Sequence, residues 1–274
     1  MKKVLIAAFM LWAAAPLQAQ KQAAGWRSLF DGKSLNGWTQ VTGTARYYVE
    51  NQMIVGVSVV NSPNSFLASN QLYGDFVLEL EYKLQDSTIN SGIQFRSQFD
   101  AAKNNGNQCE MEGSSRDWAG GIYDEGRRGW LYTPSLNPKA AGTYKANQFN
   151  KVRIECKGQT VVTWLNGKPI SVLVDTATTP GHIALQVHSI GADEAKAGKK
   201  IMWRNIRINT ANVKLTPLPY PVFVVNTIPN NLSEVESKQG TTLLFDGQSS
   251  TGWKGAYKPG FPEKGWQIAA GMLK

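Results

Sequence analysis

The sequence predicts an all-β protein: a sandwich of two antiparallel sheets, followed by the start of a second copy of the same domain. Three observations carry that expectation. Nearly every apolar segment alternates with period two, no segment sustains a helical period, and a turn-rich motif near the start returns near the end. Many short antiparallel strands over roughly 190 residues need two packed sheets to bury their apolar sides.

Met1–Ala19 opens with Lys2 and Lys3, continues as an apolar run from Val4 to Ala15, and ends in small residues. This reads as a secretory signal peptide, too short for a membrane span, with cleavage near Ala19. It holds no cysteine for a lipid anchor. A periplasmic or secreted protein is expected, and no later run is long enough to cross a bilayer. Two of the nine net positive charges belong to Lys2 and Lys3, and the other basic residues are dispersed. Nucleic-acid binding needs a clustered basic stripe, so no nucleic-acid partner is expected.

Next comes Trp26–Trp38, where Asp31-Gly32 and Asn36-Gly37 supply turns between aromatic and aliphatic anchors. The pattern returns as Leu244–Trp253, with Leu, Phe, Asp, Gly, Ser, Gly and Trp in register. Tyr47–Ile54 is echoed in the same way by Trp266–Leu273. The expected organisation is a signal peptide over 1–19, a sandwich over 20–212, a proline-rich linker over 213–239, and a truncated second copy over 240–274. Val222–Val225 of the linker is expected to be pinned to a surface.

Between the repeats, Phe76–Lys83 alternates, as do Val152–Cys156, Ile183–His188 and Met202–Ile208. Val161–Leu165 runs into Asn166-Gly167, the strongest two-residue hairpin signal, and Pro169–Val174 returns. Cys109 and Cys156 both sit at apolar-side positions. A disulfide and two buried thiols both stay open. Two cysteines and two histidines leave no zinc-ligand spacing.

Three strands carry polar residues where a purely structural strand would not want them. Ile89–Arg96 puts Asn90, Gln94 and Arg96 on one face; Cys109–Glu112 presents Glu110 and Glu112; Gly181–Ser189 presents Gln186 and His188. As neighbours they would form a polar face able to bind a polyhydroxylated ligand and move protons. A glycine-rich loop follows Glu112. Its Trp118, Tyr123 and Trp130 suit the apolar face of a sugar ring, and its Asp124 and Arg127 add polar contacts.

Ser28-Leu-Phe-Asp-Gly, Leu35-Asn-Gly-Trp38, Asn90-Ser-Gly-Ile-Gln-Phe-Arg96, Gly121-Ile-Tyr123, Trp164-Leu-Asn-Gly167 and Gly181-His-Ile-Ala-Leu-Gln-Val-His188 resemble the 3-keto-disaccharide hydrolase domain, in the tandem-domain form of Bacteroidetes. The likeness spans Trp26 to Asn209. It implies a concanavalin A-like jelly roll with its site on the concave sheet. It also implies cleavage of 3-keto-glycosides supplied by a sugar 3-dehydrogenase. The family's Glu-x-Gln segment is here Glu110-Met-Glu112, so the second position departs from the pattern.

The chemistry suits such residues. A ketone at C3 acidifies the C2 proton, a base removes it, the C1 substituent leaves, and water adds to the enone. His188 is expected as base, Glu110 as its orienting partner or as the acid, and Arg96 and Gln186 as enolate donors. The base and acid assignments are interchangeable, and a divalent metal on Glu110, Glu112 or His188 stays open as a cofactor. Two rivals remain. One is a non-catalytic lectin-like module. The other is an ordinary glycosidase using Glu110 and Glu112, which lie roughly 6.5–7 Å apart on one strand.

Overall fold

A computed structural model describes residues 25–99, 104–177 and 180–274. The proposed signal peptide lies outside the described residues. The first half of the chain forms β1 (Trp26–Ser28), β2 (Trp38–Thr42), β3 (Arg46–Glu50), β4 (Met53–Val57), β5 (Ser65–Ser69), β6 (Phe76–Leu84), β7 (Asn90–Phe99) and β8 (Asn104–Glu112). The second half forms β9 (Ile122–Glu125), β10 (Gly129–Tyr132), β11 (Asn150–Lys157), β12 (Thr160–Leu165), β13 (Lys168–Val174), β14 (His182–Val187) and β15 (Lys200–Asn209). Beyond these lie β16 (Val224–Asn226), α1 (Glu234–Lys238), β17 (Ile268–Ala269) and β18 (Met272–Leu273).

Two sheets face each other. One runs β16-β13-β12-β11-β6-β15-β4-β3, with β1 also on β15; the other runs β10-β9-β8-β7-β14-β5-β2. Every pairing within them is antiparallel except β13 with β16. Between them lies an apolar core that includes Phe76, Leu78 and Ile154 from the first sheet and Ile93, Phe95 and Leu185 from the second. The alternation read from the sequence therefore becomes a jelly-roll sandwich. Asn166 and Gly167 take positive φ at the β12–β13 turn, as a tight hairpin requires.

Cys109 and Cys156 belong to opposite sheets, and both are free, buried thiols. Burial pushes the Cys156 thiol up to about 12 and raises that of Cys109 as well. The open alternative resolves to two apolar-core thiols.

The proline-rich segment is docked rather than loose. Leu215, Leu218 and Tyr220 pack with Val222 on Val162, Trp164 and Val172, the outward side of the first sheet. Thr216 N–H donates to the Glu155 carboxylate (2.9 Å), and Tyr132 Oη donates to the Phe223 carbonyl (3.1 Å). The short helix α1, which the sequence reading did not foresee, carries a capping box between Ser233 and Glu236.

One irregularity shapes the second sheet. The β7–β8 register shifts between Phe95 and Gln98, and Arg96 sits there at φ +50°. Opposite, Gly106 has positive φ and its backbone lies against Ser97 so closely that a Cβ would collide with it. A bulge bends a strand pair sharply. Beyond it Phe99 packs on Phe66 of β5, with ring centroids 5.3 Å apart and β14 between their strands. The Phe99 end of β7 thus lies over the outward side of its own sheet, which is the trough.

Candidate functional site

The outward side of β7, β8 and β14 is floored by amides. Ser97 Oγ donates to Gln94 Oε1 (2.7 Å), Gln94 Nε2 to Gln108 Oε1 (2.8 Å), and Gln108 Nε2 to Glu110 Oε2 (3.0 Å). Asn90 Nδ2 donates to Glu110 Oε1 at 2.7 Å. Gly92 makes this floor: a Cβ there would occupy the space of the Gln108 carboxamide. Continuing the β14–β7 register puts Gln186 beside Gly92, which pairs with Glu110. Gln186 is fully buried, and neither its Oε1 nor its Nε2 has a hydrogen-bond partner among the described residues. An unpaired buried amide costs about 1–3 kcal/mol, so its presence needs a reason.

Glu110 is the titratable centre of this floor. Burial pushes its carboxyl up to about 7, against the opposing hydrogen bonds of Asn90 and Gln108; Glu112 adds to the rise and Arg116 opposes it. A carboxylic acid that titrates near neutrality can both give and take a proton.

Glu112, two residues on, is differently employed. Its oxygens accept from Arg116 (2.7 Å to Nη2), Ser114 Oγ (3.0 Å) and the Trp118 N–H (2.7 Å). That set closes the loop after β8 and leaves Glu112 as a loop anchor. The Gly120 carbonyl accepts from Thr163 Oγ1 (2.6 Å) and Ser171 Oγ (3.0 Å), tying the loop to the opposite sheet. The expected long loop is therefore shorter than read, because 122–132 forms the β9–β10 hairpin.

Trp118, Trp130 and Tyr123 stand together as one wall. Trp118 and Trp130 meet edge to face at 4.7 Å, and Tyr123 meets Trp130 at 5.3 Å. The Arg116 guanidinium lies 4.4 Å from the Trp118 ring centroid and 5.1 Å from that of Trp130.

Four expectations are corrected. Arg96 does not join Asn90 and Gln94: the bulge turns it away, and it donates to the carbonyls of Gly74 and Gly158 and to Asp75. Asp124 lies on the Ile122 side of β9, opposite Tyr123, and is fully buried between Arg127 (2.6 Å) and Arg128. Arg127 is thereby committed to Asp124, outside the amide floor. Glu110 is not hydrogen-bonded to His188, since its partners are Asn90, Gln108 and Arg116.

His188 stands at the other side of the trough. Its Nδ1 lies 2.6 Å from the Ser189 carbonyl. A carbonyl only accepts, so Nδ1 carries the proton and the basic lone pair sits on Nε2. Glu125, not singled out from the sequence, reaches this side from β9: Asn64 Nδ2 donates to Glu125 Oε1 at 3.3 Å. Burial raises the Glu125 carboxyl, while Asn64 and the His188 charge act the other way. Only its alternation with Tyr123 on β9 hinted at Glu125, and nothing local marked Asn64 or Arg116.

The donors do not fit a metal. Among the described residues no three His, Cys, Asp or Glu side chains converge. Arg116 already bridges Glu110 and Glu112, and His188 stands with Glu125 instead. No helix among the described residues is long and apolar enough to cross a membrane.

Comparison with known proteins places this architecture. A solved Parabacteroides distasonis ATCC 8503 protein, provisionally described as a glycosyl hydrolase, superposes with TM-score 0.50 at 18% identity, covering 69% of this chain and 94% of that one. A carbohydrate-binding module of Bacillus subtilis gives 0.46 at 18% identity, over 63% and 95% of the two chains. The Bacillus licheniformis beta-glucanase gives 0.48 at 14%, over 70% and 100%. No curated protein matches the sequence. The model of the 3-keto-alpha-glucoside-1,2-lyase-like domain matches residues 25–209, and the chain belongs to that family.

Proposed function

We propose that this protein cleaves the glycosidic bond of 3-keto-glycosides by C2 proton abstraction, elimination and hydration. The observation that carries the reading is a buried carboxyl, Glu110, titrating near 7 on an amide floor. His188 Nε2 takes the C2 proton, the C2–H electron pair moves onto the C3 oxygen as an enolate, and its return forms C1=C2 as the C1–O bond breaks. Glu110 gives its proton to the leaving oxygen. Water then adds at C1, giving a proton to the Glu110 carboxylate, and the His188 imidazolium returns its proton to C2, so the net change is hydrolysis and both groups are restored. Gln186, with its unpaired amide, supplies the donor for the enolate oxygen that Arg96 is too far turned to supply. Asn90 and the aromatic wall hold the sugar, over a floor in which Gln94 is committed to Ser97 and Gln108.

The substrate requires an upstream oxidoreductase that turns the C3 hydroxyl into a ketone. The proposal extends to an exported protein and to residues 240–274 as the start of a second copy. A purely carbohydrate-binding role rests on the same floor. An aryl 3-keto-glucoside deuterated at C2 separates the readings. The proposal expects aglycone release slowed by a primary isotope effect; release without one means ordinary glycosidic chemistry, and binding without release means a lectin.

A further inference from the structure

A continuous set of contacts joins β9 to β14 across the trough. Asn64 Nδ2 donates to Glu125 Oε1 (3.3 Å), Asn64 Oδ1 accepts the Ser189 N–H (2.8 Å), and the Ser189 carbonyl accepts from His188 Nδ1 (2.6 Å). One carboxamide therefore holds a carboxylate on one side and the backbone that orients an imidazole on the other. Glu125 pairs with Gly106 of β8, near the bulge at Arg96, and beyond that bulge Phe99 packs on Phe66.

From this geometry we infer that Glu125 is the positioning carboxylate of His188, the counter-charge for the imidazolium formed when His188 takes a proton, with Asn64 as the link. The inference rests on His188 acting as base in the proposed reaction. It assigns the two sides of the trough different tasks. The β14 side, with His188 and Glu125, removes the proton; the β8 side, with Glu110, protonates the leaving group. Glu110 and His188 have no hydrogen bond between them, so each group can change its protonation without directly displacing the other. Glu125 does not touch the reacting atoms in this scheme. It stabilises a charge that exists only after proton transfer, which is where an interaction raises kcat rather than lowering KM.

The chain has two histidines, so the imidazole signals in two-bond proton–nitrogen NMR spectra belong to His182 and His188 alone. The His182 Nδ1 contacts the Ser69 carbonyl, and His182 serves as the internal control. Titrating the uniformly labelled chain and its Glu125→Gln variant should move the His188 midpoint to lower pH by about half a unit or more, with His182 unchanged. Asn64→Ala should move His188 in the same direction and keeps the test open if the first variant folds poorly. On an aryl 3-keto-glucoside the acid limb of kcat/KM should shift with the NMR midpoint, and kcat should fall about tenfold with KM nearly constant. Unchanged His188 signals in both variants would overturn the inference. A moved midpoint with no turnover by the wild type would support the coupling and overturn the substrate reading instead.

Discussion

The outward sides of the two sheets carry the same residue type in opposite electrostatic settings. On the first sheet Glu79 is 6% exposed and bonded by Arg153 (2.8 Å), Arg207 (2.6 Å) and Lys151 (3.3 Å). On the second, Glu110 is 3% exposed and held mainly by neutral amides, with Arg116 3.3 Å away. Burial raises both carboxyls, but at Glu79 the cations outweigh it and the net shift is downward. At Glu110 burial wins, and the group rises to about 7. Facing cations and shallower burial together separate a structural glutamate from one poised for proton transfer.

Substitution separates the two glutamates most strongly. Glu110→Gln should lower kcat/KM on a 3-keto-glycoside about 10²–10⁴-fold, the usual worth of general acid–base catalysis, with the fold kept. Glu79→Gln should leave kcat/KM within about twofold. Aglycone release from both variants checks the contrast.

The two glutamates also affect stability against pH in opposite senses. Glu79, lowered in the fold, contributes stability that is present above the ordinary carboxylate range and lost as pH falls through its folded value. Glu110, raised in the fold, contributes in the opposite sense: full stability below 4.5, lost as pH rises towards 7. The Glu110 effect is on the order of 3 kcal/mol across that window. Denaturant midpoints at pH 4.5 and pH 8 should therefore diverge less in Glu110→Gln than in the wild type.

Smaller effects follow at the partners. Glu79→Gln should cost about 1–2 kcal/mol at neutral pH, because its half-exposed cations recover water when the carboxylate is gone. Gln186→Leu should gain about 1 kcal/mol, since an unpaired buried amide is replaced by an apolar group, while KM rises. A loss of stability in Gln186→Leu would mean the amide is already satisfied in the fold.

Much of this was readable from residues alone, for local reasons. Asp31 accepts from the N–H of Lys33 and Ser34, and Asp246 accepts identically from Gln248 and Ser249. Trp38 Nε1 bonds the Leu29 carbonyl, and Trp253 Nε1 bonds that of Leu244. Yet Trp38 is 6% exposed and Trp253 is 42% exposed. Turn chemistry is written in a few adjacent residues; burial depends on strands far along the chain. The same distinction governs the site. Period-two alternation put Glu110, Gln186 and His188 on outward faces, but one bulged residue reversed Arg96, and the contact between Glu125 and Asn64 has no local signature.

In the proposed reaction the amide-floored side of the second sheet performs the chemistry through Glu110. Aglycone release from an aryl 3-keto-glucoside and from its unoxidised parent, by wild type and Glu110→Gln, tests it most directly. Release from the keto substrate alone, lost in Glu110→Gln, is the expected result. Equal release by the variant, or release from the parent glucoside, would contradict it.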